Sequence, residues 1–574
     1  QQQQQQQQQQ EQGEEEEGKA EEGSDPDTGL LSAEFDTSLE LAGEWRTDIA
    51  LFIKARPPAC ARQLIAMCLR DVLPATLKDL TDWTAAGRRR AAGVLHTLVV
   101  YSEHHSAKYL SDLLPAFYRS ARDQDTDFHS MVVRCVQAVG WLVPVDAFLP
   151  IALHDATNNV DGNYLSSICV VLVNLLVGAP SSAIAPHLAA CASALLCKDL
   201  CCSEHEEVRF HTVAIVATLL KKLPGMCCDS SSEVSYQLFS VLLQLDARAS
   251  SEQEEQHVLS AMSLLAGGVG GNLNSVYQQH FLRSLQDSMQ NLLQTPENIS
   301  WKQESMVRVV VFTLFKRGSR SIALHLELVL PVLVACARED QDQALRISAL
   351  GCLYQLLVNE EDVSYFEEEH TATIVRDVLV KGLTWKPGKI ASAMRLQAAV
   401  CLRAVFTRGL LTSALVKQLT PCLYPVLKTN LDDDDIDLRT LVCCIFGLFF
   451  ELTQEELDYE MLLDLHRDLV KRMDDSNDDI RIEVTRIFGL FFPKCFPPHE
   501  KFDPSDQHFA YIVKSYLVHL DDINTDLQAA IMKLLKGIAS YKLDTFVKQC
   551  ESVRGKHSNP ENVEALLAHA ATLQ

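Results

Sequence analysis

Cys197, Cys201, Cys202 and His205 are the residues of this 574-residue chain that most invite a metal. Thiolates and an imidazole are the donors that tetrahedral zinc takes. Their spacing fits no common finger and no second ligand pair follows, so they are read as core and turn residues at a helix end. Glu103-His104-His105 sets an acid beside two imidazoles, the ingredients of proton transfer. It falls in the turn after a helix with no partner to place beside it, and is read as a solvated turn. Asp432-Asp433-Asp434-Asp435 gathers carboxylates, yet calcium loops need acids at alternate positions around a mid-loop glycine. Gly267-Gly268-Val269-Gly270-Gly271 has the glycines of a phosphate loop without its Lys-Ser/Thr or a preceding strand. It is read as a connection between helices. No Gly-x-Ser-x-Gly elbow, His-Glu-x-x-His motif or kinase set occurs. The expectation is a chain that is not an enzyme, with no catalytic residues, no cofactor and no metal.

The elements that would position these residues are helices. From about residue 40, apolar residues recur at three- and four-residue spacing between short polar turns, and no alternating strand pattern appears. At 574 residues the chain exceeds what one hydrophobic core supports. Aromatics are 7% of it, so the core must be mostly aliphatic residues, alanine and cysteine. The 18 cysteines sit mainly in apolar runs and read as small buried hydrophobes of a reducing compartment. The net charge of −25 and the short basic runs exclude the cationic footprint of a nucleic-acid binder. The best membrane candidate, 168–179, is too short to span, so no membrane partner is expected. Ten glutamines and an acidic run open the chain, and 1–28 is expected to be disordered because it buries too little apolar surface. A first residue other than methionine makes a fragment the expectation.

Self-similarity is the strongest signal. Leu431-Asp432-Asp433, Met473-Asp474-Asp475 and Leu520-Asp521-Asp522 align, followed in register by Asp437-Leu438-Arg439, Asp479-Ile480-Arg481 and Asp526-Leu527-Gln528. The first two units then repeat Ile-Phe-Gly-Leu-Phe-Phe at 445–450 and 487–492. Spacings of 42 and 47 residues fall near the ~40–47 of HEAT and armadillo repeats. Weaker copies run Leu73-Pro74 through Asp82 to Arg88, Leu114-Pro115 through Asp123 to Arg134, and Leu330-Pro331 through Asp342 to Arg346. The fold class is therefore all-α, a HEAT/armadillo-type solenoid of about eleven helix pairs. Its organisation is a glutamine-rich and acidic segment at 1–28, solenoid at 40–265, an irregular repeat or loop at 266–310, and solenoid at 311–574. In each unit the proline suits the first turn or a kink of the first helix. The turn aspartate can cap the second helix, and the charges flanking the inward apolar residue can bridge to the next unit. The positions carrying this pattern are Asp82, Asp342, Arg346, Asp433, Asp437, Arg439, Asp475, Asp479, Arg481, Asp522 and Asp526. The acidic turns read either as capping and solvated surface or as a negative stripe that steers a basic partner.

Two tracts carry a more specific resemblance. Leu73-Pro74-Ala75 with Asp79 and Thr81-Asp82-Trp83, and Leu469–Arg481 with Leu517-Val518-His519-Leu520-Asp521-Asp522, resemble the dynein axonemal assembly factor 5 family of HEAT-repeat proteins. Lys556-His557 with Pro560 is similar to its close. The likeness spans about 50–574 and corresponds to the family's C-terminal part. The glutamine run departs from it. The resemblance implies a cytoplasmic scaffold for preassembly of axonemal dynein arms. It implies protein partners: dynein intermediate and heavy chains, other dynein assembly factors and chaperones. It supplies no catalytic residue to transfer. The alternative is a HEAT-repeat transport or phosphatase-type regulatory adaptor for other protein cargo.

Overall fold

The structure is a computed structural model describing residues 56–229, 232–268, 272–302, 304–453, 459–495 and 506–573. The segment 1–28, the first residues of the expected solenoid and 269–271 lie outside the described residues. Among the described residues every regular element is a helix. The chain divides into two compact units, the boundary falling between Gly270 and Gly271.

The first unit holds five pairs. These are α1 (Ala59–Asp79) with α2 (Ala85–Ser102), α3 (Leu110–Ser120) with α4 (Thr126–Leu142), and α5 (Val145–Asn158) with α6 (Gly162–Gly178). They continue with α7 (Leu188–Leu195) and α8 (Glu206–Lys222), then α9 (Glu233–Arg248) and α10 (Glu252–Gly268). The second helices α2, α4, α6, α8 and α10 pack side by side in that order as one layer.

The second unit starts with α11 (Leu273–Met289) and α12 (Met306–Arg317), then α13 (Leu326–Ala337) and α14 (Gln343–Val358). The stretch expected to be an irregular repeat or loop is partly helical, with short 3₁₀ turns at Gln290–Leu293 and Pro296–Asn298. A first helix follows in three parts, Glu368–Thr373, a π-helical Ile374–Leu379 and Val380–Leu383, paired with α15 (Lys389–Thr407). Then come α16 (Ser413–Asn430) with α17 (Ile436–Leu452), α18 (Tyr459–Arg472) with α19 (Asp478–Cys495), α20 (Asp506–His519) with α21 (Thr525–Ile538), and α22 (Leu543–Val553) with α23 (Pro560–Ala571). Here too the second helices α12, α14, α15, α17, α19, α21 and α23 touch in sequence.

Each pair buries its apolar stripe against its neighbours, which is why a lone pair cannot hold its fold. The repeated hexapeptide shows how. Phe446 and Phe450 stack at 5.8 Å within α17, and Phe450 meets Phe491 of α19 at 4.9 Å, carrying the core across the repeat boundary. Full burial of each such ring contributes about 1.5–3 kcal/mol. In the first unit α4 and α6 approach backbone to backbone. A Cβ on Gly140 would stand 2.2 Å from the Leu175 carbonyl, and one on Gly178 2.1 Å from that of Gln137.

One expectation is narrowed to one of its two alternatives, and one is corrected. The Leu-Pro prolines lie inside first helices rather than in their first turns: Pro74 in α1, Pro115 in α3 and Pro331 in α13. The ring removes one i→i−4 hydrogen bond there and crowds the preceding turn, the bend half of the expectation. Contrary to the expectation that 168–179 is the best membrane candidate, α15 is long and apolar enough to cross a membrane by length and composition. In the fold α15 packs between α14 and α17 and buries Arg395 in an ion pair.

Candidate docking groove and its charge ladder

The turns entering the second helices share one device. Asp433 Oδ1 accepts the Asp435 N–H at 3.1 Å, and Asp435 caps α17 by accepting from the N–H groups of Asp437 and Leu438 at 2.9 and 3.2 Å. Asp475 and Asn477 build the same turn before α19, and Asp522 and Asn524 before α21. Asp82 with Thr84 and Asp123 with Asp125 do so before α2 and α4. The cap is therefore the residue two beyond Asp82, Asp433, Asp475 and Asp522, since the capping side chain must stand on the extended residue next to the first helical turn. Among the aspartates expected from the repeat pattern, Asp342 is the one that caps its helix directly, accepting from the Leu345 N–H at 3.2 Å. Asp437, Asp479 and Asp526 lie exposed in the first turns of α17, α19 and α21, where negative charge suits the helix dipole.

The fourth residue of α2, α8, α14, α17 and α19 is an arginine: Arg88, Arg209, Arg346, Arg439 and Arg481. Each donates to a carbonyl of its own turn, Asp82, Ser203, Ala337, Asp433 and Met473 respectively, at 2.8–3.2 Å. Four also cross to an acid of the next pair. Arg88 reaches Asp123 at 2.7 Å, Arg209 reaches Glu254 at 2.7 Å, Arg439 reaches Asp475 at 2.8 Å, and Arg481 reaches Asp522. Arg308 to Asp342 at 3.2 Å and Arg395 to Asp433 at 2.8 Å add further rungs from α12 and α15. Burial works against the charge on Asp475. The hydrogen bonds from Arg439 and the Asn477 N–H outweigh it and hold that carboxyl below its ordinary range. Asp522 is held down first by its hydrogen bond from Arg481, then by the Asn524 N–H. In α21 the fourth residue is Gln528, which donates to the Asp522 carbonyl and accepts from Asn562, a neutral rung.

Three second helices of the first unit lack this arginine: α10, which has Glu255 in its place, and the adjacent α4 and α6. The fourth residue of α4 is His129, not the Arg134 aligned from sequence, and that of α6 is Leu165. At that gap a groove of about 930 Å³ opens across α4, α6 and α8, lined among others by His129, Asn163, Ser166, Glu206, Glu207 and Phe210. Short side chains on α6 form its floor, and Ser166 Oγ donates to Glu207 at 3.2 Å. Phe210 is 44% exposed, stands edge-on to His211 and lies 4.4 Å from the His257 ring. Burial lowers the His211 pKa, the nearby His257 and His129 push it the same way, and Glu207 opposes them. Arg122 and Asp123 line the groove as well and offset one another in formal charge, so Glu206 and Glu207 leave it acidic beside an apolar ring. No residue of this groove except Asp123 was singled out from sequence; its signal is a missing arginine, visible only once the helices are aligned by their caps.

The other candidates separate. Glu103 is buried rather than solvated. It opens a 3₁₀ turn at φ +47°, and its carboxylate takes Arg56 at 2.8 Å and Arg62 at 3.0 Å. The left-handed backbone is an uncommon cost for a non-glycine residue, held here by two ion pairs. Cys201 and Cys202 both turn onto Gln244, whereas Cys197 faces the Thr157 carbonyl. Among the described residues no group of three or more His, Cys, Asp or Glu is arranged to hold a metal ion. Asp432 pairs with Lys471 and Arg472 instead of clustering with Asp433–Asp435 around a cation site.

The fold and groove can be set beside known proteins. The family model described as "Dynein axonemal assembly factor 5, HEAT-repeat domain" matches residues 52–249. Dynein axonemal assembly factor 5 of Homo sapiens is 25% identical over 520 residues, covering 90% of this chain and 59% of that protein. The Mus musculus protein of that name is 24% identical over 525 residues, 91% of this chain and 60% of its own length. Among solved structures, the karyopherin Kap121p bound to the extreme C-terminus of the protein phosphatase Cdc14p gives a TM-score of 0.39 at 14% identity, covering 93% of this chain and 54% of that one. An engineered protein gives 0.34 at 14% identity, over 73% of this chain and 98% of that chain. Scores this low say nothing about partners. The chain spans about three-fifths of the length of the curated relatives it matches, and along nine-tenths of its own length it is a HEAT-repeat chain similar to dynein axonemal assembly factor 5.

Proposed function

We propose that this chain is a scaffold without catalytic activity that holds other proteins during cytoplasmic preassembly of axonemal dynein arms. Its clients are axonemal dynein intermediate and heavy chains, and it works beside other dynein assembly factors and chaperones. The carrying observation is the similarity, over 90% of this chain, to proteins named for that assembly role. The groove on α4, α6 and α8 is the place where a client docks. An arginine or lysine of the client stands in for the missing rung against Glu206 and Glu207, and an apolar side chain covers Phe210. An aromatic anchor beside acids that a client's cation can pair with is the composition of strong protein contacts.

The test is affinity capture with the full chain from the cytosol of ciliated cells, comparing wild type with Glu206→Lys/Glu207→Lys. Wild type should recover axonemal dynein chains, and the variant at least about tenfold less, equivalent to roughly 1.4 kcal/mol. Equal recovery by both rejects the groove. Recovery of no dynein chain by either rejects the assembly role.

A further inference from the structure

The chain has three pairs of adjacent cysteines, Cys201-Cys202, Cys227-Cys228 and Cys443-Cys444. Neighbouring residues of a helix do not face one another, because side chains advance by about 100° per residue. Cys443 and Cys444 obey this within α17, and burial raises both thiols. Cys227 and Cys228 are both buried and donate to different carbonyls, Leu219 at 3.6 Å and Leu264 at 3.7 Å.

Cys201 and Cys202 are arranged otherwise. Cys201 ends the short helix Lys198–Cys201 with Cys202 after it at φ −114° and ψ 16°; Cys227 and Cys228 share this backbone, at the end of Pro224–Cys227 with φ −104° and ψ 11°, so the difference lies in the sulfurs. Their sulfurs are 3.8 Å apart. Both approach Gln244 Oε1 of α9, at 3.2 and 3.0 Å, so one carbonyl holds the two thiols on the same side. Cys201 is buried and Cys202 is partly open to solvent, which places an attacking sulfur outside and a resolving sulfur behind it.

We propose that Cys201 and Cys202 form a redox-active dithiol that hydroperoxides oxidise to a disulfide between adjacent residues and that free thiols return to the reduced form. The Cys202 thiolate attacks a peroxide oxygen, the O–O bond breaks, and the departing oxygen leaves as water (or an alcohol) after taking a proton. Cys202 is then a sulfenic acid. The Cys201 sulfur displaces its hydroxyl, the S–S bond forms, and the Cys201 proton leaves with that hydroxyl as water. Two thiols lose two electrons and one peroxide gains them. The charge balance around the pair agrees. The hydrogen bond from Cys201 lowers the Cys202 pKa, burial opposes it, and Arg248 and Lys198 assist; the Cys201 thiol moves up.

Adjacent Cα atoms are about 3.8 Å apart, below the ~4.4–6.8 Å of ordinary disulfides. The product is therefore strained, and strained disulfides are the easily reduced ones. Ring closure must reshape the turn carrying Ser203 and Glu204, whose carbonyls receive Arg209 at 3.0 and 2.9 Å. Oxidation then loosens the Arg209–Glu254 rung next to Glu206 and Glu207.

The test uses the fully reduced full-length chain, limiting hydrogen peroxide, alkylation of remaining thiols and peptide mapping by mass. The peptide bearing Cys201 and Cys202 should lose two hydrogens and escape alkylation before the exposed Cys60 and Cys68 are modified, and dithiothreitol should reverse it. Cys202→Ser should abolish the product, and Cys201→Ser should leave a Cys202 sulfenic acid that dimedone traps. Phenylarsine oxide on the unmodified chain supplies a readout that needs no variant: one arsenic should bridge both sulfurs, releasing one water. Earlier oxidation of Cys60 or Cys68, a disulfide from either cysteine to Cys197, or failure of the arsenical to map to this peptide overturns the proposal.

Discussion

Replacing Asp433 with alanine should open the second unit locally. The Arg395 and Asp433 side chains are 5% and 2% exposed, the most deeply enclosed rung of the ladder. Arg395 donates to Asp433 through Nε at 2.9 Å and to the Lys386 carbonyl through Nη1 at 2.7 Å. Asp433→Ala strands the guanidinium in the interior with only that carbonyl, and stranding one member of a buried pair costs about 3–5 kcal/mol. Loss of the bond between Asp433 Oδ1 and the Asp435 N–H adds about 1 kcal/mol. Arg395→Met/Asp433→Ala removes both charges and should be less damaged than Asp433→Ala alone, because apolar replacement of a whole buried pair is close to neutral. Hydrogen exchange of the full chain, read by mass, is the assay, since two units preclude a single unfolding free energy. Protection should fall in α15 and α17 and stay unchanged in α2 to α6. A variant within about 1 kcal/mol of wild type in α15 and α17, or a double variant worse than the single, would refute the reading of this pair as a buried tie between α15 and α17.

Gly140→Leu should lower the melting temperature of the first unit at a cost at or above the roughly 1–3 kcal/mol of ordinary overpacking, because the obstacle is the Leu175 backbone. Gly93→Ala, with nothing within 4 Å, should stabilise α2 by about 0.5–1 kcal/mol; calorimetry distinguishes the two. Acid should weaken the turns. The Asp125 carboxyl is brought down to about 2, first by its hydrogen bond from Arg89 and then by the Phe128 N–H, and Asp82, Asp475 and Asp522 are also lowered. A folded pKa below the unfolded value of about 3.9 gives stability that is present above that value and lost as pH falls through the folded one. Urea midpoints should therefore decline from pH 5 to pH 2, and less steeply in Asp125→Asn. His280 follows the same sign at higher pH: burial, then Arg283, brings it down to about 4. Its contribution is complete above about 6.5 and lost toward 4, so His280→Gln should flatten that part of the urea profile in the second unit.

The repeat was legible from 432 to 539 because two hexapeptides and three turns recur there at fixed offsets, and every one of those aromatic positions faces the core. The ladder was legible as charges flanking an inward residue, but not the cap, since Asp433 and Asp435 are chemically alike and only the backbone decides which one stands at the helix entrance. Glu103 was misread because its arginines lie 47 and 41 residues away in sequence. The groove escaped because it is defined by two absent arginines. Adjacent cysteines look alike in all three pairs; Cys201 and Cys202 are set apart by their shared contact with Gln244, 42 and 43 residues away in sequence.

The π-helical stretch Ile374–Leu379 has a consequence for how this chain tolerates change. A π turn accommodates one residue more than an α turn inside an otherwise ordinary helix. Deleting one residue between 374 and 379 should yield a plain α-helix with the same two ends, so Arg395 would still arrive opposite Asp433. That helix should therefore lose a residue there without altering the seam beside it.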